Sequence, residues 1–297
     1  MPWYHDYQPK TVHDCILSPK LKKEFSKIIS SGVMNSMIFS GSAGIGKTTV
    51  AKCLANELQS DVLLINGSNA GIDVIRTDVT QFASSMSMSE GLHKIVIFDE
   101  SDALTELVQK SLRGFIDEFV ETTRFIFTCN YPHKLIEPLH SRCPLFDFEP
   151  EDKVKTSAIL ATKIAAMCKD NDYKCDTKSL HQFCIQLFPD FRATINACQV
   201  YADSNGQIDS GILSIRKSNV DELVEQILNK DFNAAREIIA NLSGEIYDPI
   251  YRKLVLLKPD KANLIAPIVA QYNFWACHAV VQDITLAACV SELMDVL

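Results

Sequence analysis

The octapeptide from Gly41 to Thr48 has the residue types and spacing of a phosphate-binding loop. In full it reads Gly41, Ser42, Ala43, Gly44, Ile45, Gly46, Lys47 and Thr48, which matches G-x-x-x-x-G-K-[ST]. It follows a predicted strand and opens a predicted helix, so backbone N–H groups turn inward beside a helix N-terminus, where anions are stabilised. We expect Lys47 to reach the β- and γ-phosphates of ATP, Thr48 to ligate Mg²⁺, and Thr49 to contact the nucleotide as well.

Two adjacent acids, Asp99 and Glu100, come directly after the apolar run Ile95-Val96-Ile97-Phe98. A buried strand of a parallel sheet would deliver both at its carboxyl end, where ligands of open α/β sheets bind. Asp99 is expected to hold Mg²⁺ through water, and Glu100 to orient and polarise a water that attacks the γ-phosphate. A second acid beside the metal-binding one favours deliberate hydrolysis over transfer to a small molecule.

Three further polar residues stand where they could act on the same phosphates. Asn130 ends a predicted strand, a position that suits an amide sensing the γ-phosphate. Arg142 lies on a predicted exposed loop, and Arg192 starts a predicted helix that could fold over the phosphates. Each also has an ordinary interpretation, because asparagine often caps turns and surface arginines are usually solvated.

The elements that must position these residues alternate between short apolar runs and helical patterns, which is typical of a parallel α/β sheet. We predict five strands, and their fully apolar runs favour strands buried on both faces. The predicted strands are Met37–Phe39, Val62–Ile65, Ile95–Phe98, Phe125–Thr128 and Leu145–Phe148, with a helix over 47–58 after the first.

Beyond Glu149 the pattern predicts helices only. Three of them, over 151–169, 176–188 and 190–204, form a small helical lid, and the last block ends in one long apolar helix through Phe274, Trp275, Val281, Ile284, Leu286 and Val290. We therefore predict a nucleotide-binding α/β domain over 1–149, a helical lid over 150–207 and an all-helical domain over 208–297.

Composition narrows the class of protein further. The chain has 297 residues and a net charge of −8, so a single copy is expected to bind nucleic acid weakly. No apolar stretch is long enough for a membrane helix, and the N-terminus lacks a signal peptide, so we expect a cytoplasmic protein without membrane contact. The ten cysteines lack zinc-ligand spacing and favour reduced, mostly buried thiols.

In their order along the chain these motifs resemble the AAA+ clamp loaders, which open ring-shaped sliding clamps and close them around primed DNA. The resemblance rests on Gly41–Thr48, Asp99–Asp102, Asn130, Ser141-Arg142-Cys143 and Arg192. Several segments are similar to phage members of that family, namely Asp14–Leu17, Asn66–Ser68, Phe188–Arg192 and Asp209–Ser214.

The resemblance implies roles for residues that composition and spacing leave unassigned. Arg142 would act as a finger in the neighbouring subunit's site, and the adenine would be contacted from Tyr4, His5, Asp6, Tyr7 and Ile16. Tyr7-Gln8-Pro9 resembles the family's Tyr-Arg-Pro box, but glutamine replaces the arginine here.

The resemblance also implies partners. Four copies of the chain would join one smaller, different subunit in an open ring, held by the C-terminal helical collar, and act on a sliding clamp and primer–template DNA. Arg76, Lys110 and Arg113 are the candidate DNA contacts, with backbone N–H groups at the start of a predicted 73–85 helix. Gln109 and Arg113 match a family pattern that links DNA contact to the catalytic acid.

Three alternatives stay open at this point. Another AAA+ remodelling ATPase, such as a helicase loader or branch-migration motor, shares the core motifs. A structural subunit that binds ATP without hydrolysis is disfavoured by the intact Lys47, Asp99 and Glu100. A small-molecule kinase is disfavoured by Glu100 and by the helical C-terminal third.

Overall fold

The computed structural model describes residues 2–68, 71–87, 93–214, 219–240, 242, 246–276, 279 and 282–297. The chain divides into two compact units, Met1–Ile212 and Leu213–Leu297. The finer division of the first unit into an α/β domain and a lid stays a prediction. Within the described residues, no helix combines the length and apolarity needed to span a membrane.

The first unit contains a central sheet and the helices that cover it. Its strands are β1 Met37–Ser40, β2 Val62–Asn66, β3 Lys94–Asp99, β4 Thr123–Cys129, β5 Leu145–Asp147, β6 Lys174–Cys175 and β7 Gln207–Ile208. Its helices are α1 Trp3–Asp6, α2 Pro19–Ser31, α3 Lys47–Glu57, α4 Ile72–Ser84, α5 Glu106–Glu118, α6 Glu137–His140, α7 Lys153–Asp170, α8 Thr177–Leu187 and α9 Phe191–Asn205. Short 3-10 turns lie at Ser101–Ala103, Pro132–Lys134 and Ser210–Ser214.

The predicted five-stranded parallel sheet is confirmed, with strand order β2-β3-β4-β1-β5. The central strands β1, β3 and β4 are buried on both faces, as their apolar runs predict. The prediction of full burial is wrong for the two edge strands, where Val62 and Leu145 are exposed. Each edge strand has a single neighbour, so its side chains are covered less completely.

The parallel arrangement brings the carboxyl ends of β1, β3 and β4 to one edge of the sheet. The loop after β1 contains the glycine-rich octapeptide, β3 ends at Asp99, and Asn130 follows β4. Parallel strands with helical crossovers bind ligands at this edge. The sheet therefore places the three sequence-predicted motifs side by side.

The three predicted lid helices form as α7, α8 and α9, each within two residues of its predicted ends. Asp152, Asp176 and Asp190 cap them, because each carboxylate accepts a hydrogen bond from a backbone N–H of the first turn. The expectation of helices only is wrong, since β6 and β7 pair in parallel through Lys174 with Gln207 and Cys175 with Ile208. Strands of two residues are too short to leave a periodic pattern.

The second unit is helical, as predicted, and contains its own apolar core. Its helices are α10 Asn219–Asn229, α11 Phe232–Ile239, α12 Tyr247–Leu257, α13 Ala262–Ala276 and α14 Gln282–Val296, with a 3-10 turn at Pro259–Lys261. Leu223, Ile227, Leu254, Ile265 and Val290 are among the buried side chains that form one cluster.

The prediction of one long final helix is wrong. Two helices, α13 and α14, replace it, and Ala279 between them is not helical. The two helices pack against each other, so that Ile265 and Val290 enter the same core. Continuous apolar sequence fits both arrangements, and no glycine or proline marks the break. Val281 of that prediction lies outside the described residues.

Candidate nucleotide site

The glycine-rich loop joins β1 to α3 through backbone conformations that require glycine. Gly44 and Gly46 have φ of 74° and 100°, in the left-handed region that other residues rarely adopt. Helix α3 begins at Lys47, and its cap residue Gly46 offers no side chain to the first N–H groups. These N–H groups and the positive end of the helix dipole form an anion-binding cradle.

Lys47 is nearly buried and connects two strand ends. Its Nζ donates to Gly41 O at 2.7 Å, to Ser42 O at 2.9 Å and to Asn130 Oδ1 at 2.8 Å. Burial lowers the pKa of this ammonium, while nearby acidic groups, including Asp102 and Asp99, act in the opposite direction. Its three hydrogen bonds are with neutral oxygen acceptors, so the cation is well suited to bind a phosphate oxygen in their place.

Asp99 forms a polar centre with two hydroxyl groups. Its Oδ1 accepts hydrogen bonds from Thr48 Oγ1 at 2.5 Å and from Thr128 Oγ1 at 2.6 Å. Carboxylate and hydroxyl oxygens are the ligands that Mg²⁺ takes in nucleotide sites. Thr48 and Asp99 are thus in contact where a phosphate-bound cation would need them, and the donor set fits that ion.

Glu100 has a left-handed backbone conformation, with φ of 54°. Its Oε2 accepts a hydrogen bond from Ser68 Oγ at 2.5 Å, and its N–H donates to Thr128 Oγ1 at 3.2 Å. The backbone just after β2 passes so close to Glu100 that only glycine fits at position 67, because a Cβ on Gly67 would lie 2.6 Å from Glu100 O. Glu100 is therefore held at the sheet edge beside Asp99.

Two cavities meet at the glycine-rich loop. The smaller, of about 130 Å³, is polar and is lined by Ala43, Gly44, Gly46, Lys47, Thr48, Thr49, Asp99, Glu100, Asp102, Thr128, Cys129, Asn130 and Arg192. It therefore contains most of the predicted phosphate, metal and catalytic residues. Gly44, Gly46, Thr49 and Arg192 also line the second cavity, so the two are adjacent.

The second cavity, of about 330 Å³, is predominantly apolar and has the character of a base-binding pocket. Of the predicted adenine contacts, Tyr4, Tyr7 and Ile16 line it, and Ile45 of the glycine-rich loop lines it as well. The predicted adenine contacts His5 and Asp6 do not line it: both are exposed on the single turn of α1, where Trp3 is the buried residue.

Sequence reasoning missed several residues of the second cavity. They come from the N-terminal segment and from α7 and α9, namely Gln8, Pro9, Asp14, Cys15, Leu160, Lys163, Met167 and Ile195. The spacing of 160, 163 and 167 places three of them on one face of α7, a signal that the sequence contained. Nothing local in the sequence indicated which partner that face would meet.

Arg192 is in the first turn of the lid helix α9, and the N-cap residue of that helix, Asp190, lies against the glycine-rich loop. Asp190 Oδ1 accepts the Ala193 N–H at 2.8 Å, which fixes the first turn of α9. The same carboxylate lies against Gly44, since a Cβ built there would be 1.9 Å from Oδ1. The glycine-rich loop and the first turn of the lid helix thus contact each other directly.

Arg142 lies apart from both cavities. It follows the short helix α6, and its guanidinium pairs with Asp117 of α5, with Nε to Oδ1 at 2.8 Å and Nη2 to Oδ2 at 3.0 Å. Its neighbour Cys143 is fully buried, which raises the pKa of that thiol to about 12. In this chain, therefore, Arg142 is not part of the site that Lys47 and Glu100 form.

The candidate DNA contacts are exposed on two adjacent helices. Arg76 is on α4, and Lys110 and Arg113 are on α5, which packs against α4. Lys110 forms an ion pair with Glu106 at 2.6 Å. Gln109 is buried and bonds to the backbone at Leu104, Lys134 and Ile136.

Residues 37–149 match the family model of the ATPases associated with various cellular activities, the class of protein that this fold and this site define. Residues 152–214 match the model of the sliding-clamp-loader large subunit lid domain. The RuvB branch-migration motor of Thermotoga maritima has a similar fold, with TM-score 0.62, 18% identity and coverage of 84% of this chain and 90% of that one. At that identity the likeness concerns the fold alone.

Curated relatives narrow the class. The sliding-clamp-loader large subunit of Escherichia phage RB69 is 35% identical over 84% of this chain and 80% of its own length. That of Enterobacteria phage T4 is 33% identical over 90% and 87%. The replication factor C small subunit of Methanocella arvoryzae is 30% identical over 89% and 86%. The chain therefore belongs to the sliding-clamp-loader family of AAA ATPases.

Proposed function

We propose that this chain is the ATP-hydrolysing subunit of a machine that opens a sliding clamp and places it on primer–template DNA. The observation that supports the proposal most directly is the separation of Arg142 from an otherwise assembled site. Lys47, Asp99, Glu100 and Asn130 line one cavity of this chain, whereas Arg142 lines neither cavity. A site that lacks only its finger suits an enzyme whose activity depends on a neighbouring subunit.

Binding of ATP would use groups that the structure already brings together. The adenine would occupy the larger cavity between Tyr7 and Ile16, and the phosphates would lie in the cradle at the start of α3. Thr48 and Asp99 would hold Mg²⁺, which when bound neutralises phosphate charge and orients the γ-phosphate. Arg192 would contact the phosphates from the lid, because it lines both cavities.

Hydrolysis would then depend on three side chains from two subunits. Glu100 would orient and polarise the attacking water, and Asn130 would hold that water or the γ-phosphate. Arg142 of the adjacent copy would stabilise the charge that develops on the γ-phosphate in the transition state. Because the catalytic side chains would come from two subunits, hydrolysis would depend on assembly of the ring.

Assembly and DNA contact complete the proposal. Copies of this chain, together with a smaller and different subunit, would form an open ring held by the second unit as a collar. Arg76, Lys110 and Arg113 would face the DNA inside the ring, where several copies combine a few positive groups each. Such convergence offsets the net charge of −8, which disfavours binding by a single copy.

The first test is the ATPase rate of this chain with and without its small subunit, the sliding clamp and primer–template DNA. We expect a low basal rate that rises strongly when all three are present. Arg142→Ala should lower the stimulated rate by about 10³-fold or more, since fingers contribute 10³–10⁵. Lys155→Ala, which removes an exposed cation outside both cavities, is the matched control and should retain the rate.

Two results would contradict the proposal. A purified monomer that hydrolyses ATP at the full rate and is indifferent to Arg142→Ala would exclude a finger in trans. A rate unaffected by clamp and primed DNA would instead favour another remodelling task for the same ATPase.

A further inference from the structure

The guanidinium of Arg142 is held by four hydrogen bonds within its own subunit. Asp117 accepts from Nε and Nη2, while Nη1 donates to Pro138 O at 3.2 Å and to Ser141 Oγ at 3.4 Å. Two parallel bonds between one carboxylate and one guanidinium fix the plane of the group as well as its position. The Arg142 side chain is 28% exposed, so the paired group still reaches the surface.

The edge of the guanidinium that Asp117 occupies decides which N–H groups of Arg142 can still bind a phosphate. Asp117 binds the edge formed by Nε and Nη2, which leaves one further N–H on Nη2, while Nη1 donates to two neutral oxygens, Pro138 O and Ser141 Oγ. Among the described residues no carboxylate other than Asp117 pairs with Arg142. A phosphate of a neighbouring subunit could therefore bind the terminal edge by competing only with these neutral oxygens, without displacing Asp117.

We propose that Asp117 is the positioning residue of the arginine finger, and that it orients the terminal edge of Arg142 toward the neighbouring active site. The inference rests on the proposed function, because it requires Arg142 to act in trans. Asp117 is on the last turn of α5 and Arg142 follows α6, which packs against α5. The pair thus connects the finger to the helix that also bears Lys110 and Arg113.

The charges around Asp117 agree with this role. The hydrogen bond from Arg142 is the main cause that lowers the pKa of Asp117, and the nearby charges of Arg142 and Arg113 act in the same direction. Arg113 is one helical turn before Asp117, at spacing i, i+4. The carboxylate therefore stays ionised at neutral pH and keeps its bidentate geometry.

The test compares Asp117→Ala with Glu118→Ala in the full loader with clamp and primed DNA. We expect Asp117→Ala to lower kcat by about tenfold with KM for ATP unchanged, because a misplaced catalytic group loses rate without losing substrate binding. Asp117→Glu should restore part of the rate, since it keeps the carboxylate. Glu118→Ala should match the parent, as it removes the adjacent exposed acid of the same helix.

A mixing experiment separates positioning from a general defect in folding. One copy is made with Lys47→Ala, so it offers a finger but cannot use ATP, and the other carries Arg142→Ala, so it uses ATP but offers no finger. Loaders assembled from both should retain some activity, because a copy that binds ATP can lie beside a copy that offers a finger. Adding Asp117→Ala to the first copy should lower that activity, whereas adding it to the second should leave it unchanged.

The outcomes distinguish the inference from the function on which it rests. If Arg142→Ala has no effect, the finger in trans is wrong and the proposed function fails. If Arg142→Ala abolishes hydrolysis but Asp117→Ala equals the parent, only the inference is overturned. A rate increase in Asp117→Ala would also overturn it, because Asp117 would then restrain the finger.

Discussion

At the scale of single residues, a hydrogen bond joins Lys47, which we expect to bind the phosphates, to Asn130, which we expect to act in hydrolysis. Lys47 Nζ donates to Asn130 Oδ1 at 2.8 Å, so the residue after β4 positions the cation of the glycine-rich loop. The amide also has N–H donors, which an asparagine offers and an aspartate does not. The acceptor that Asn130 offers to Lys47 and the donor that its amide provides can therefore be tested separately by substitution.

We predict that Asn130→Ala and Asn130→Asp differ in a diagnostic way. Asn130→Ala loses the Lys47 contact and the donor, and removal of one stabilising donor in an active site costs about 10²–10³ in kcat. Asn130→Asp keeps an acceptor for Lys47 but lacks the donor and adds a negative charge that competes with the phosphates for Lys47, so nucleotide binding should weaken more than in Asn130→Ala while hydrolysis is still lost. The measurements are binding of a fluorescent ATP analogue and the stimulated ATPase rate.

Equal hydrolysis by Asn130→Asp and the parent would show that only the acceptor matters. Tyr131→Phe is a suitable control, because Tyr131 is the next residue, is exposed and lines neither cavity.

At the scale of elements, the central strands and the loops after them were predictable because a few consecutive residues are enough to indicate each of them. A run such as Ile95–Phe98 can bury both faces only in a sheet interior, and the acids after it must then lie at the ligand-binding edge. The glycine-rich loop was predictable for the same reason, since the spacing of its glycines and its lysine is typical of one backbone conformation, the phosphate-binding turn between a strand and a helix.

Contacts between distant segments were not predictable in this way. Asp117 and Arg142, Ser68 and Glu100, and the pairing of β6 with β7 join residues that share no local pattern. Side chains of the larger cavity come from both chain ends of the first unit, so their convergence depends on how the lid folds back. Helix periodicity indicates an apolar face but does not identify what covers it.

The contact between the glycine-rich loop and α9 carries a prediction at this scale. Gly44→Ala would place a Cβ 1.9 Å from Asp190 Oδ1 at a φ of 74°, so the cap of α9 must move and Arg192 with it. We expect weaker ATP binding and a less stable lid, since loss of an N-cap costs about 0.5–2 kcal/mol. Binding of a fluorescent ATP analogue and thermal unfolding measure both effects.

A double substitution tests the mechanism of that effect. Asp190→Ala removes the carboxylate that the new methyl group would meet, so Gly44→Ala should cost less in its presence than in the parent. Additive effects would show that the loop and the cap are independent. Gly114→Ala on α5 is the control, because a Cβ there meets nothing within 4 Å.

At the scale of the whole molecule, the chain contains two compact units, and both cavities lie in the first. The first, Met1–Ile212, contains every residue that lines the two cavities, and the second, Leu213–Leu297, has its own buried core. On the second unit Leu256, Phe274 and Ile284 are exposed apolar side chains. Apolar surface of this kind often marks contacts with other subunits, which supports the proposed collar.

We predict that a fragment of residues 1–212 folds and binds ATP like the full chain but is not stimulated by the small subunit, clamp and DNA. Every residue that lines its two cavities belongs to the first unit, whereas the proposed function requires neighbouring subunits for Arg142 to act. Binding of a fluorescent ATP analogue, sedimentation and the ATPase rate measure the three properties, with the Lys47→Ala fragment as the binding control. Full stimulation of the fragment would show that subunits assemble without the C-terminal helices, and the finger could then reach its site without a collar.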